Sequence, residues 1–298
     1  MRFTVRAPAS SANLGPGFDA LGMALDLWNE ITVDTEGEGV VLAGSDATLL
    51  DGKENYTVLA MRELAVSCGK KLPEFGLEVR ADVPVARGLG SSAAALVCGL
   101  AAANKLIGLG LTTDDLFLRA WQMEGHGDNV GAAVYGGAIL AVPGLKKALR
   151  LANGSDLDLK AVVFIPEATS ATWAARAALP ASVPLPDAAH NVGMASGLSV
   201  GLLTRNLDAI AAGMHDRLHE PYRARLFPHL TPMTDAARTA GAVGACLSGA
   251  GPTILSLVEE GHIGAVESAL LQVAGEHRVE GRVAVLSPTS SGVTLIEQ

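Results

Sequence analysis

The segment 84–94, PVARGLGSSAA, is the part of the chain best suited to chemistry. It follows an alternating stretch, 75–83, and precedes an almost wholly apolar run, 91–107. Alternation predicts a strand, and the apolar run predicts a buried helix. Gly88 and Gly90 in the turn let backbone approach a ligand closely. Ser91 and Ser92 then open the helix, whose first N–H groups are unpaired and sit at the positive end of its dipole. Such a terminus binds phosphate, and Arg87 could face that phosphate or solvent. The Ser92 hydroxyl could also reach a magnesium ion. A connecting turn with a serine cap is the plainer reading of the same residues. The segment has neither the Lys-Ser/Thr ending of a P-loop nor the spacing and downstream acid of a dinucleotide site.

Further polar residues stand in small or apolar surroundings. Asn13 and Asp19 bracket NLGPGFD, a good turn in its own right. As an amide and a carboxylate, they could also hold an ammonium group. The stretch 124–129, EGHGDN, gathers Glu124, His126 and Asp128 between two helical segments, where a solvated loop is the alternative reading.

Regular elements must position these groups. Residues 2–7, 28–35, 40–44, 75–83 and 138–142 read as strands, and 55–68, 91–107 and 112–124 as helices. Asn55 stands where a helix cap belongs. A polar, Gly-containing break at 143–158 suggests a boundary between a unit of residues 1–150 and one of residues 151–298. Beyond it, strand 159–165 and helices at 169–179, 187–204, 206–214 and 230–240 lead into strands 242–247 and 253–258, helix 262–273, and strands 283–286 and 293–296. That order predicts an α+β protein with helices on one sheet face.

Bulk properties narrow the function. With 22 basic and 31 acidic residues the net charge is −9, which gives no general attraction for nucleic acid or anionic membrane. An anionic substrate therefore needs a local device such as the glycine loop. Cys68, Cys98 and Cys246 have no metal-ligand spacing and read as free thiols. The longest apolar stretch, 93–103, is too short to span a bilayer, and residues 2–7 alternate rather than forming a signal sequence. A soluble cytoplasmic protein is expected.

The pattern PxxxGLGSSAA resembles the second signature of the GHMP kinases. Residues 8–22, PASSANLGPGFDALG, resemble the first signature in its homoserine kinase form, and 244–253, GACLSGAGPT, resemble the third. The three occur in the family's order and, with their flanks, cover most of the chain. The resemblance implies a two-lobed α+β fold. Its N-terminal nucleotide-binding lobe would hold an unusual left-handed βαβ unit, and its C-terminal lobe would be ferredoxin-like. EGHGDN is similar to the EGHPDN segment of homoserine kinases, with Gly127 where proline is usual, which leaves His126 less fixed. TSATWAARAALP at 169–180 resembles their T-x-x-x-R segment, and HEPYR at 219–223 another.

What the resemblance implies for activity is phosphoryl transfer from ATP to the side-chain hydroxyl of L-homoserine, a step of threonine biosynthesis. Asn55 would lie beside adenine, although a helix cap explains it equally. Arg87, Gly88, Leu89, Gly90, Ser91, Ser92 and Ala93 would hold the phosphates. Mg2+ would bind Ser92 and Glu124. Asn13, Asp19, His126, Thr172, Arg176, Arg223 and Gly249 would hold the amino acid. Glu124, Asp128, Ser92 and Arg176 form the expected catalytic set. Where other GHMP kinases carry an aspartate base, residues 145–148 read LKKA, so a mechanism without a dedicated base is expected. A homodimer is implied as well. Kinases of the same family that act on mevalonate, shikimate or a diphosphocytidyl alcohol, and a non-catalytic ligand sensor, are the alternatives.

Overall fold

The computed structural model describes residues 1–50, 55–170 and 172–297; the side chains of Leu50 and Thr172 lie outside that description. The first half of the chain contributes β1 (Arg2–Ala12), β2 (Leu21–Asp34), β3 (Val40–Ala43), α1 (Ala47–Leu50), α2 (Tyr56–Ser67), β4 (Gly76–Ala81), α3 (Ser91–Leu106), α4 (Thr113–Glu124), α5 (Asp128–Tyr135), β5 (Ala138–Leu140) and β6 (Leu149–Ala152). The second half adds β7 (Lys160–Pro166), α6 (Thr172–Ala177), α7 (Leu185–Thr204), α8 (Leu207–Gly213), α9 (Glu220–Arg223), α10 (Leu230–Thr239), β8 (Gly244–Leu247), β9 (Ile254–Val258), α11 (Ile263–His277), β10 (Gly281–Leu286) and β11 (Thr294–Glu297).

The first sheet runs β11-β1-β2-β4-β3, with β5 and β6 branching from β2. Its β3–β4 pair is parallel, joined by a connection containing α2, and forms the βαβ unit. Both long strands extend further toward the cleft than alternation alone predicts. β1 continues through Ala12 and β2 begins at Leu21, because each pairs with the other across the residues of the first signature. The register slips between Pro8 and Ala9, where proline brings no N–H to the ladder. One face of the sheet packs on α2 to α5 through Phe3, Val5, Ile31, Met61, Val97, Leu100 and Phe117.

The second sheet, β10-β7-β9-β8, is antiparallel throughout. Numbered from β7, its strands lie in the order four, one, three, two, which is the ferredoxin-like arrangement. The period of two along β7 sorts its side chains to two cores. Val162 and Phe164 join Leu230, Met233, Val266 and Leu270 of α10 and α11. Ala161, Val163 and Ile165 join Leu14, Leu89, Leu198 and Met214 in a core shared by both halves of the chain.

The polar stretch 143–158, read as a boundary, contains β6, whose short LRLA run gains its partner from β5. Dividing the chain at 150/151 therefore cuts β6. It also parts β11 from the first sheet, where β11 pairs with β1. The ends of the chain meet in one ladder.

α3 is buried nearly all round, as its composition predicts. It approaches α2 so closely that a Cβ on Gly99 would lie 2.4 Å from the Thr57 carbonyl oxygen. Gly99→Ala should push α2 and α3 apart and lower stability by about 1–3 kcal/mol, the usual range for overpacking. Urea unfolding checks this: a midpoint equal to wild type would mean that the helices part freely.

Candidate active site

One cleft collects the ends of these elements. It is lined by the β1–β2 turn, the glycine loop, the first turn of α3, the α4–α5 turn, α6, α9 and the turn after β8. Gly90 caps α3 at φ 71°, and Gly88 has φ 82°. A Cβ at Gly88 would lie 2.3 Å from the Ser248 carbonyl oxygen, and one at Gly90 would lie 2.0 Å from Ser10 Oγ. Neighbouring protein atoms and the positive φ thus demand glycine here independently of any ligand. The carbonyls of Arg87, Gly88 and Leu89 accept hydrogen bonds from Thr253 N–H, Ser248 Oγ and Ser10 N–H. The first helical bond of α3 runs from Ala94 N–H to Gly90 O, so Ser91, Ser92 and Ala93 present N–H groups without intrahelical partners beside the cleft.

Arg87 does not complete that cradle. Its guanidinium pairs with Asp46 at 2.8 Å and donates to the carbonyls of Pro166 and Glu167 at 2.9 Å each. These partners turn it toward the junction with β7, a correction to its expected phosphate-facing role. The Leu89 side chain is wholly buried in the shared core, leaving only its backbone near the loop. Asn55 caps α2, its Oδ1 accepting from Thr57 and Val58 N–H. Its neighbour Tyr56, which sequence reasoning passed over, lies beside Ser92 and Glu124. Burial and then the Glu124 charge push its phenol above the ordinary value, with the Ser92 hydrogen bond opposing.

The α4–α5 turn forms a chain of polar contacts. Ser92 Oγ lies 3.5 Å from Glu124 Oε2, and Glu124 Oε1 lies 3.9 Å from His126 Nε2. His126 Nδ1 is 2.6 Å from Asp128 Oδ1, which also accepts from Asn129 N–H at 2.7 Å. Asn129 Oδ1 in turn accepts from Ser10 Oγ at 2.8 Å. Burial raises the Glu124 carboxyl above the usual carboxylate range; His126 opposes this and Asp128 adds to it. Burial alone would depress His126, but the Asp128 hydrogen bond and the surrounding carboxylates outweigh it and raise the imidazole. Gly127 does not leave His126 loose, because Asp128 holds the ring. Glycine fits there because a Cβ would come within 2.5 Å of Ala141 Cβ and 3.1 Å of the Trp121 ring.

On the opposite wall, Arg176 grips Asp19 through both terminal guanidinium nitrogens, at 2.6 and 3.1 Å. Arg223 is only 2% exposed and donates to Gly249 O at 3.0 Å. Both guanidinium carbons stand 5.5 Å from the centre of the Phe18 ring, a cation–π distance. Asn13 Nδ2 donates to the same Gly249 oxygen at 2.9 Å, and Asn13 Oδ1 accepts from Asp19 N–H at 3.0 Å. Asn13 and Asp19 have φ of 68° and 57°, a region that Asn and Asp tolerate better than most residues. Thr172 opens α6, but its side chain lies outside the described residues.

His219 was not foreseen as a site residue. Its Nδ1 faces Arg223 Nη1 at 3.2 Å, and a guanidinium can only donate. The Nδ1 is therefore an acceptor, and Nε2 carries the proton donated to Gly15 O at 2.7 Å. Burial holds the ring below the ordinary imidazole value, in keeping with a neutral tautomer. Asp216 fixes the turn into α9 by accepting from the N–H groups of Leu218, His219 and Glu220 and from Asn191 Nδ2. The histidine of HEPYR thus clamps the arginine four residues later.

The cleft joins a helix terminus for phosphate to a wall of paired acid and guanidinium groups. Against this geometry, the GHMP kinase N-terminal domain model matches residues 55–137, and the GHMP kinase C-terminal model matches 198–275. A homoserine kinase of Synechococcus sp. is 40% identical over 295 residues, covering 97% of this chain and 94% of the relative. The chain belongs to the GHMP kinase family. The homoserine kinase of Desulfitobacterium hafniense is 37% identical, covering 98% of this GHMP kinase and 99% of the relative. The crystal structure of homoserine kinase from Cytophaga hutchinsonii superposes with a TM-score of 0.85 at 30% identity, covering 99% and 97% of the two chains. L. major mevalonate kinase, in complex with R-mevalonate, shares the fold at a TM-score of 0.71 and 18% identity over 96% of each chain.

Glu220 provides a test of how α9 is anchored. Its Oε1 accepts from Leu247 N–H at 2.6 Å, and burial pushes the carboxyl up to about 8 from an ordinary 4.5. The folded state therefore holds a proton that the unfolded chain releases, and wild-type stability falls as pH rises from about 4.5 to about 8. Glu220→Gln keeps the acceptor without the titration. Its stability relative to wild type should improve steadily across that window in denaturant titrations. A constant difference would place the charged carboxylate in the folded protein throughout.

Proposed function

We infer that this GHMP kinase transfers the γ-phosphoryl group of ATP to the side-chain hydroxyl of L-homoserine, giving O-phospho-L-homoserine and ADP. The observation that carries the reading is the Asp19–Arg176 pair beside buried Arg223, facing the phosphate-binding end of α3. A zwitterionic amino acid fits such a pair: its ammonium group takes Asp19, and its carboxylate takes the guanidinium forks. The family relatives named homoserine kinase, about 40% identical over nearly the whole chain, support the same substrate.

In this mechanism the residues of the chain position and neutralise. Transfer of a phosphoryl group through a loose transition state asks mainly for alignment and charge stabilisation. The N–H groups of Ser91, Ser92 and Ala93 hold the phosphates, and Asn55 and Tyr56 at the start of α2 border the nucleotide. Asn13, Asp19, Thr172, Arg176, Arg223 and Gly249 orient the amino acid, with His126 and Asp128 beside its hydroxyl. A magnesium ion is part of the proposal. Ser92 and Glu124 offer it hard oxygen donors, and the raised carboxyl of Glu124 marks a buried site short of positive charge. When bound, the ion would offset phosphate charge. No dedicated base is required, since the hydroxyl loses its proton late.

A cytoplasmic location belongs to the same reading, supported by three free cysteines. Among the described residues no helix is long and apolar enough to cross a membrane. A homodimer is also proposed.

Glu124→Ala should remove most turnover while leaving the melting temperature within a few degrees of wild type. Near-normal activity at ordinary magnesium would rule out the metal role. Ser92→Ala should likewise cut turnover with little loss of stability, because its hydroxyl faces Glu124 rather than capping α3.

Arg176→Ala isolates carboxylate recognition, since this side chain is 40% exposed and its loss spares the core. It should cost roughly 2–4 kcal/mol in kcat/KM for homoserine, with KM for ATP little changed. Wild type should also discriminate against homoserine methyl ester far more than the variant does. Equal discrimination by both would assign Arg176 to the nucleotide or the fold.

A further inference from the structure

One donor atom from each of Asp19, His126 and Asp128 lies within 4.8 Å of the other two. Among the described residues no other three histidine, cysteine or carboxylate side chains come so close. They reach the cleft from the β1–β2 turn and the α4–α5 turn, so folding brings them together. One imidazole nitrogen and two carboxylate oxygens form a donor set for zinc and its neighbours in the first transition row. Magnesium takes oxygen donors and keeps several waters. Ser92 and Glu124 suit magnesium; the trio with its imidazole suits a softer ion.

The surrounding contacts hold the trio in a ligating posture. His126 Nδ1 stands 2.6 Å from Asp128 Oδ1. Two donors bound to one ion at zinc bond lengths sit about 3.4 Å apart at a tetrahedral angle, so the pair need open by less than about 1 Å. The far side of the ring faces Glu124, with Nε2 3.9 Å from Oε1. A carboxylate at the far nitrogen is the partner that sets tautomer and ring direction in metal-bound histidines. The Asp128 side chain is only 2% exposed, and Asn129 N–H steadies its Oδ1. Its Oδ2 accepts no hydrogen bond from any described residue, although Asp128 lines the cleft. A buried carboxylate thus keeps one oxygen free for a ligand. Asp19 completes the set from the opposite wall. Arg176 holds both of its oxygens, yet each carboxylate oxygen retains a lone pair for a further partner.

We propose that Asp19, His126 and Asp128 form an inhibitory site for a transition-metal dication, Zn2+ above all, separate from the Ser92–Glu124 position. The ion takes His126 Nδ1 and one oxygen from each aspartate, while Glu124 orients the ring from behind. It covers the side of Asp19 that an incoming ammonium group needs, so metal and amino acid exclude one another. That exclusion rests on the homoserine reading; the metal site does not. Arg176 tunes the site against the ion, because it competes for Asp19 and places a positive charge beside the metal.

Calorimetric titration of Zn2+ into the full, untagged chain should show one ion bound per chain, and excess Mg2+ should not displace it. His126→Gln should weaken binding by more than about tenfold. Arg176→Ala should tighten it by about tenfold, a gain that no loss of folding can produce. Ser92→Ala should leave it nearly unchanged, which separates this site from the magnesium position. Co2+ in the same site should absorb in the visible without the near-ultraviolet thiolate band that Cys68 would give. Saturating L-homoserine should weaken the apparent zinc affinity of wild type. Absence of zinc binding, affinity unmoved by His126→Gln, affinity lost with Ser92→Ala, no tightening in Arg176→Ala, or a thiolate band would each overturn the proposal. Zinc binding that passes these tests but ignores homoserine would sustain the metal site and count against the homoserine reading.

Discussion

Ser248 has no surface in contact with solvent, so its hydroxyl must find partners within the protein. It shares hydrogen bonds with Ser11 Oγ at 2.9 Å and Gly88 O at 2.7 Å. The next residue, Gly249, donates its N–H to Ala12 O and receives Asn13 and Arg223 on its carbonyl. Two adjacent residues thereby fasten the end of β1, the glycine loop and α9 to the end of β8. The parts come from residues between 26 and 237 positions apart, and none of them could form a site alone. Satisfying the polar groups of this turn fixes where phosphate and amino acid would lie relative to one another.

The cleft gathers like and unlike charges at unequal depth. Glu124, Asp128 and Asp19 surround His126 and raise it, while Arg176 lies half-exposed on Asp19. Among the described residues, buried Arg223 is held by carbonyl oxygens, a neutral histidine and the Phe18 ring rather than by a carboxylate of its own. A buried guanidinium without a bound acid is costly to keep. That cost favours an incoming carboxylate and gives physical content to the amino acid reading. Glu124 has the converse deficit: a carboxyl raised by burial is best relieved by a cation.

The architecture separates these demands. The first sheet and α2 to α5 form one core, the second sheet with α10 and α11 another, and the residues between them a third that both halves share. The cleft lies along that shared core, where Leu89 anchors the glycine loop from beneath. In the same core, Leu198, Leu202 and Ile210 seat α7 and α8.

Local chemistry made much of this protein legible from its sequence. The strand–glycine turn–helix of the phosphate loop, the caps at Asn55 and Thr112, and the three ordered signatures each rest on short-range rules of backbone freedom and periodicity. They determined the family, the α+β class and most of the residues that line the cleft. Side-chain direction was not legible, because it depends on partners distant in the chain. Arg87 sits inside the phosphate signature yet turns to Asp46. His219, which no spacing rule singles out, becomes the clamp on Arg223. Residues 149–152 look like linker until β5 supplies a partner, and residues 294–297 join the first sheet only because the chain returns to β1. The sequence by itself determined which residue types could bind phosphate and a zwitterion. Only the tertiary structure decided which of them meet, since a hydrogen bond or an ion pair exists only where folding brings its two halves within about 3 Å.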